Sequence, residues 1–317
     1  MRATVMSLSF GQDPIPAGYI FCLQCRPYIG RLFYTWMCDS GVTMDVRERR
    51  RTETTMLRTL LLSVIALLAA CSSGPPTVPY PAFLQVDELS DVFMASMPGI
   101  RAKQMAGNPQ TRRTSNRIDL PPAWQGTSGG APGRSTEIFV LRGSLTIADI
   151  ELPRGGYIFL PAGSLGFNIV SEQGAQILYF VNDTDPESII RSPIIIDTAL
   201  IPWEPTRTPG VSIKDLRRDP GNGAVTWLQR TEPGASLPWQ SSSVLREGYL
   251  TSGQFADSEC VNGEVASWSY TEGGYFYRSA EAIHGGPDSG GDMESVWFLR
   301  ETDGGTSTIE PGCEPIS

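Results

Sequence analysis

From about residue 98 onward, apolar and polar positions alternate over short runs, and Gly or Pro interrupts them every few residues. Such period-two runs are the pattern of half-buried strands. They predict strands over 137–141, 144–150, 157–160 and 167–170, with turns at Arg142-Gly143, 153–156 and 161–163. The run from Gln176 to Val181 is almost wholly apolar, which predicts a strand buried on both faces. No helical periodicity persists past Met97. Many short strands joined by turns of this chemistry predict an all-β protein, a barrel or sandwich of the jelly-roll type.

The pattern occurs twice. Pro98-Gly99-Ile100 and the residues after it match Pro209-Gly210-Val211 at an offset of 111. Glu137 and Gly143 match Glu247 and Gly253 at 110. Gly155-Gly156-Tyr157 matches Gly273-Gly274-Tyr275 at 118, and Gln176–Asp185 matches Glu294–Asp303 at the same offset. The jump from 110 to 118 implies an eight-residue insertion near Cys260 in the second copy. We therefore expect repeats over 98–185 and 209–303, a connector with one short strand over 186–208, and a tail over 304–317. Each repeat is large enough to be a small domain.

The N-terminal third reads differently. Met56-Leu57-Arg58 precedes an apolar run from Leu60 to Ala70, followed by Cys71-Ser72-Ser73-Gly74. A basic start and a short apolar core make a secretory signal, too short to span a bilayer. Leu68-Ala69-Ala70-Cys71 resembles the bacterial lipobox, which implies acylation of Cys71 and anchoring to a lipid membrane. Ser72 after the cysteine implies the outer membrane, facing the periplasm. On this reading 56–70 is the signal peptide and 71–97 a tether. Residues 1–55 are expected to have no place in the mature protein, with translation starting at Met56 or Met44. Cys22, Cys25 and Cys38 in that leader have no second ligand pair and are not expected to form a metal site.

The net charge of −9 leaves no basic stripe for phosphates, so nucleic acid is not an expected partner. His284 is the one histidine in 317 residues, which excludes a multi-histidine metal cage. After Cys71 the remaining cysteines are Cys260 and Cys313. Export to an oxidising compartment favours a disulfide between them, with two independent buried thiols as the alternative. Arg112-Arg113 and Arg217-Arg218 are expected at solvated strand ends.

The two repeats resemble the cupins, and the doubling resembles a bicupin. Glu137–Ser144 looks like the end of the first cupin motif and Gly156–Gly166 like the second. In the other copy, Pro238–Ser242 with Glu247–Gly253, and Gly274–His284, occupy the same places. The resemblance implies two tandem cupin-type barrels, each with a metal held by imidazoles and a carboxylate. The histidine positions of the first copy fall on Gly130, Pro132 and Gly166. Only Glu137 survives there, or Thr136 if the carboxylate sits one residue earlier. In the second copy the positions fall on Gln240, Ser242, Glu247 and His284. That set could hold a divalent metal weakly at best, so no cofactor is expected. His284 and Glu247 are the best acid–base pair. With Gln240, Ser242, Tyr249, Tyr275 and Tyr277 they are the expected lining of a small-ligand pocket. The expected function is an envelope-anchored binding or structural module. The alternatives are a metal-dependent cupin oxygenase, isomerase or hydrolase using the second repeat, and a cupin-type sensor. Oligomeric state is not legible.

Overall fold

Thr136–Gly143 and Ala175–Val181 pair antiparallel near the middle of the first sheet. Side chains on successive residues of these strands point to opposite faces, and both faces are covered, so the apolar run has no solvent side. The sheet runs Ile194–Asp197, Gly156–Leu160, Thr136–Gly143, Ala175–Val181, Arg113–Leu120, Arg101–Asn108. The computed structural model describes residues 83–108, 110–129, 133–182 and 187–313. The leader, the signal segment, Cys71, Gly130 and Pro132 lie outside these residues.

A second sheet repeats the order with the equivalent strands: Gly274–Arg278, Arg246–Ser252, Ser295–Glu301, Val225–Thr231, Val211–Arg218. Glu204–Pro205 extends its far edge. The near edges are exchanged. Leu84–Gln85, upstream of the first repeat, pairs with Gly274–Arg278 of the second sheet. Ile194–Asp197, upstream of the second repeat, pairs with Gly156–Leu160 of the first. Each exchanged strand runs into a single 3-10 turn, Val86–Glu88 and Thr198–Leu200.

A smaller sheet closes each large one into a barrel. In the first it is Trp124–Ser128, Phe167–Ser171, Leu145–Ile147 and Ile150–Leu152. The sequence pattern predicted one strand over 144–150; the structure breaks it into a hairpin. Ala148 and Asp149 both take positive φ, 49° and 63°, as a two-residue hairpin turn of this hand requires. In the second barrel the corresponding hairpin is longer, Gln254–Val261 with Glu264–Thr271, and the insertion lies in it. Its turn, Asn262-Gly263, also takes positive φ at both residues, 54° and 80°. Cys260 in this hairpin is joined by a disulfide to Cys313, with Cα atoms 5.2 Å apart. The bond holds the tail, whose strand Ser307–Ile309 pairs with Gln240–Ser242.

The matched glycines have a local cause. Gly143 and Gly253 sit at φ 72° and 87°, and a Cβ on either would lie 2.2 Å from the carbonyl oxygen of the neighbouring strand's start. Only glycine fits there.

Apolar side chains form three layers. The first barrel's interior holds Ile118, Ile138, Val140, Ile158, Ile177 and Tyr179, among others. The second holds Leu250, Phe255, Phe276, Trp297 and Leu299. Between the two large sheets lie Phe139, Tyr157, Phe180, Tyr249, Tyr275 and Phe298. The fold is thus all-β, two tandem jelly-roll barrels packed through their large sheets.

Candidate functional site

Strand alternation decides which side chains enter a barrel. On Arg246–Ser252, Leu250 faces the barrel interior and Tyr249 the layer between sheets. Arg246 lies on the interior side with Leu250, and Glu247 on the intersheet side with Tyr249. In the first copy Ile138 faces the interior, so Thr136 does too and Glu137 does not. The residue expected as a ligand carboxylate therefore points out of the barrel in both repeats.

Ion pairs fill the second barrel's interior. Arg246 Nε lies 2.9 Å from Glu301 Oε1, and Ser242 donates to the same oxygen at 2.8 Å. Arg278 Nε lies 2.6 Å from Glu259 Oε1, and its Nη2 bonds Asp257. Burial pushes the Asp257 carboxyl up despite Arg278 beside it. His284 bridges the small sheet by pairing with Gln240 on one side and Glu259 on the other. Its Nδ1 lies 3.1 Å from the carbonyl of Ala282 and donates to it. Burial, reinforced by the cations of Arg278 and Arg246, holds the imidazole well below its ordinary pKa, so it is neutral. The cavity beside His284 and Gln240 measures about 20 Å³, room for little more than a water.

These residues do not fit a cupin metal. The interior carboxylates Asp257, Glu259 and Glu301 are already engaged by the guanidiniums of Arg278 and Arg246. Arg246 stands where a ligand carboxylate would be, beside an amide, a hydroxyl and one imidazole. In the first barrel Thr136 faces an apolar core and Gly166 is exposed, so neither position supplies a ligand carboxylate or imidazole. Among the described residues no group of three or more His, Cys, Asp or Glu side chains is placed to hold a metal ion.

The seven expected pocket residues divide. Gln240, Ser242 and His284 face the second barrel's interior. Glu247, Tyr249 and Tyr275 belong to the layer between sheets, with Tyr277 packed against it. His284 and Glu247 are not brought together. The sequence reading put them on one face because it aligned Glu247, rather than Arg246, with the interior.

Glu247 has a different role. Its Oε2 accepts from Ser115 at 2.7 Å and from the Tyr275 hydroxyl at 2.7 Å, and Arg113 lies 2.9 Å from its Oε1. Glu137 mirrors it: Thr226 donates at 3.1 Å, and Arg217 Nε lies 2.7 Å away. Each carboxylate thus takes one hydroxyl and one guanidinium from the other repeat, and Glu247 also accepts from Tyr275 of its own. Arg300 Nε lies between them, 3.5 Å from Glu137 and 3.4 Å from Glu247. Its Nη2 bonds Asn182, the residue equivalent to it in the first repeat. Burial raises both carboxyls, but the surrounding guanidiniums and hydroxyls outweigh it and hold them below the usual carboxylate range.

This cluster backs a polar cleft between the repeats of about 490 Å³. Arg113, Arg217, Asn182 and Phe159 line it, with Arg191 and Asp303 among the exposed residues. Sequence reasoning missed the cleft. It assigned Arg113 and Arg217 to solvated strand ends, and the structure corrects this: Arg217 is buried and Arg113 nearly so, while Arg112 and Arg218 are exposed. The available signal was the pair Glu137 and Glu247, matched acids inside apolar strands that require buried counterions.

No curated protein matches the chain. Its fold is similar to that of protein Ylba from E. coli, described under the family model DUF861, with 18% identity, coverage of 72% of this chain and 94% of that one, and a TM-score of 0.58. It is also similar to oxalate decarboxylase OxdC of Bacillus subtilis, with 14% identity, coverage of 75% and 81%, and a TM-score of 0.55. Another structure of that enzyme is described by its Mn(II) centres. Identities this low establish the fold alone, and that fold is the cupin fold. The family model described as "Domain of unknown function (DUF4437)" matches residues 96–307, a stretch that takes in both repeats and the charged cluster between them, so the chain belongs to the DUF4437 family.

Proposed function

We propose that this protein is a lipid-anchored bicupin of the bacterial envelope that binds a small molecule without barrel-centred metal chemistry. One observation carries the reading: the barrel interiors, where cupin chemistry resides, are occupied by the protein's own side chains. Apolar residues fill the first. Arg246, Arg278 and their carboxylates fill the second, leaving about 20 Å³. The anchor rests on the lipobox-like sequence ending in Cys71. Acyl chains at about 0.8 kcal/mol per buried CH₂ give lasting attachment when several act together.

Two measurements test it. Cys71→Ala is expected to move the protein from the membrane fraction to the soluble one; unchanged fractionation overturns the anchor. Elemental analysis of the purified protein is expected to find no stoichiometric transition metal. A full equivalent would favour the second reading, a metal-dependent enzyme working at Gln240 and His284, which line the second barrel's cavity together with Asp257.

A further inference from the structure

We infer that the cleft between the repeats binds a small monocarboxylate whose far end carries hydrogen-bond donors; the inference rests on the binding-module reading and names its site and ligand class. Size is the first ground. The cleft, at about 490 Å³, falls in the range of small-molecule sites, and the second barrel's cavity does not.

The second ground is the lining itself. Arg113 and Arg217 both line the cleft. Behind them, three guanidiniums, from Arg113, Arg217 and Arg300, share the carboxylates of Glu137 and Glu247. A planar carboxylate matches the guanidinium fork. Arg191 adds a positive charge among the exposed lining residues.

The outer lining sets the other end of the ligand. Glu187 and Asp303 also line the cleft and are exposed. They repel a second negative charge, which disfavours phosphates and dicarboxylates. Asp303, as an acceptor, suits a hydroxyl or ammonium group. A hydroxy acid and an amino acid share this chemistry.

The test is titration calorimetry on the purified full chain with D-gluconate, L-serine, propionate and inorganic phosphate. Binding of gluconate or serine is expected, with propionate weaker and phosphate silent. Arg191→Gln, an exposed change, is expected to weaken binding by about tenfold or more through loss of a charged hydrogen bond. Gln240→Ala, inside the second barrel, is expected to leave affinity unchanged. Silence from all the acids overturns the inference, as does binding lost in Gln240→Ala but kept in Arg191→Gln. If the acids are silent while Cys71→Ala still releases the protein, the cleft assignment fails and the anchored-module reading stands. Turnover of a bound acid, with affinity still dependent on Arg191, supports the cleft and overturns the non-catalytic reading.

Discussion

Phe180 and Phe298 occupy the same position in the two repeats, and their rings stack on each other with centroids 5.6 Å apart and planes 8° from parallel. A residue meeting its own equivalent is the mark of a two-fold contact. Here the symmetry relates two halves of one chain. Asn182 and Arg300, two residues further on, meet in the same way, but there the halves differ.

Truncating either ring should open a cavity in the layer between the sheets. Phe298→Ala is expected to cost about 3–5 kcal/mol, since Phe298 also packs on Phe139 at 5.0 Å. Because the two rings share one contact, the double variant with Phe180→Ala should cost less than the sum of the singles. Denaturant titration of the four proteins measures this; simple additivity would show that the stack contributes little.

Glu247→Ala should destabilise by about 3–5 kcal/mol, because it leaves buried guanidiniums unpaired. The carboxyls of Glu137 and Glu247 are held below their ordinary range in the folded state. Their contribution is therefore full above the unfolded carboxylate pKa and is lost as pH falls through the folded values. Acid titration of Glu247→Gln should show a shallower loss of stability below about pH 4.5 than the parent. Equal slopes would argue against the buried ion cluster.

His284 gives a second pH window, nearer neutrality. Its folded pKa is depressed, so between that value and the ordinary 6.5 the unfolded chain binds a proton that the folded one does not. Stability should therefore fall as pH drops below about 6.5, by up to about 1.4 kcal/mol per unit. Asp257, raised by burial, acts in the opposite sense at lower pH. As the chain has one histidine, His284→Gln should flatten this slope. Melting temperatures between about pH 5 and 7 decide it.

The Cys260–Cys313 bond closes a long loop, with a sequence separation of 53. Reduction should remove up to about 4 kcal/mol in the chain-entropy account. Amide exchange should rise first in Ser307–Ile309 and its partner Gln240–Ser242. Two thiols that alkylate without prior reduction would refute the bond.

The strands were legible because period-two runs and turn glycines report directly on local backbone. Gly143 and Gly253 were visible as repeated letters before their contacts with neighbouring carbonyls were known. The turn at Ala148-Asp149 was not legible, because Ala148 does not favour the left-handed backbone that the turn requires and the pair lacks the usual Asn-Gly or Asp-Gly signature. The site was harder for a related reason. A one-residue slip exchanges the faces of a strand, and the slip between Arg246 and Glu247 moved the expected pocket from one layer to the next. Arg113 and Arg217 were misread because a charge at a strand end is ordinarily solvated. Only the packing of one repeat on the other buries them.

The exchanged edge strands also impose an order in time. The first sheet's outer strand, Gly156–Leu160, stays uncapped until residues 194–197 have been made. Leu84–Gln85 waits far longer, because its partner Gly274–Arg278 is almost the last of its sheet to emerge. During synthesis each half presents an open strand edge whose cover belongs to the other half. Such edges invite pairing with any nearby chain. Either half produced alone would keep that exposure permanently, so the duplicated gene cannot be divided at the connector without yielding two adhesive proteins.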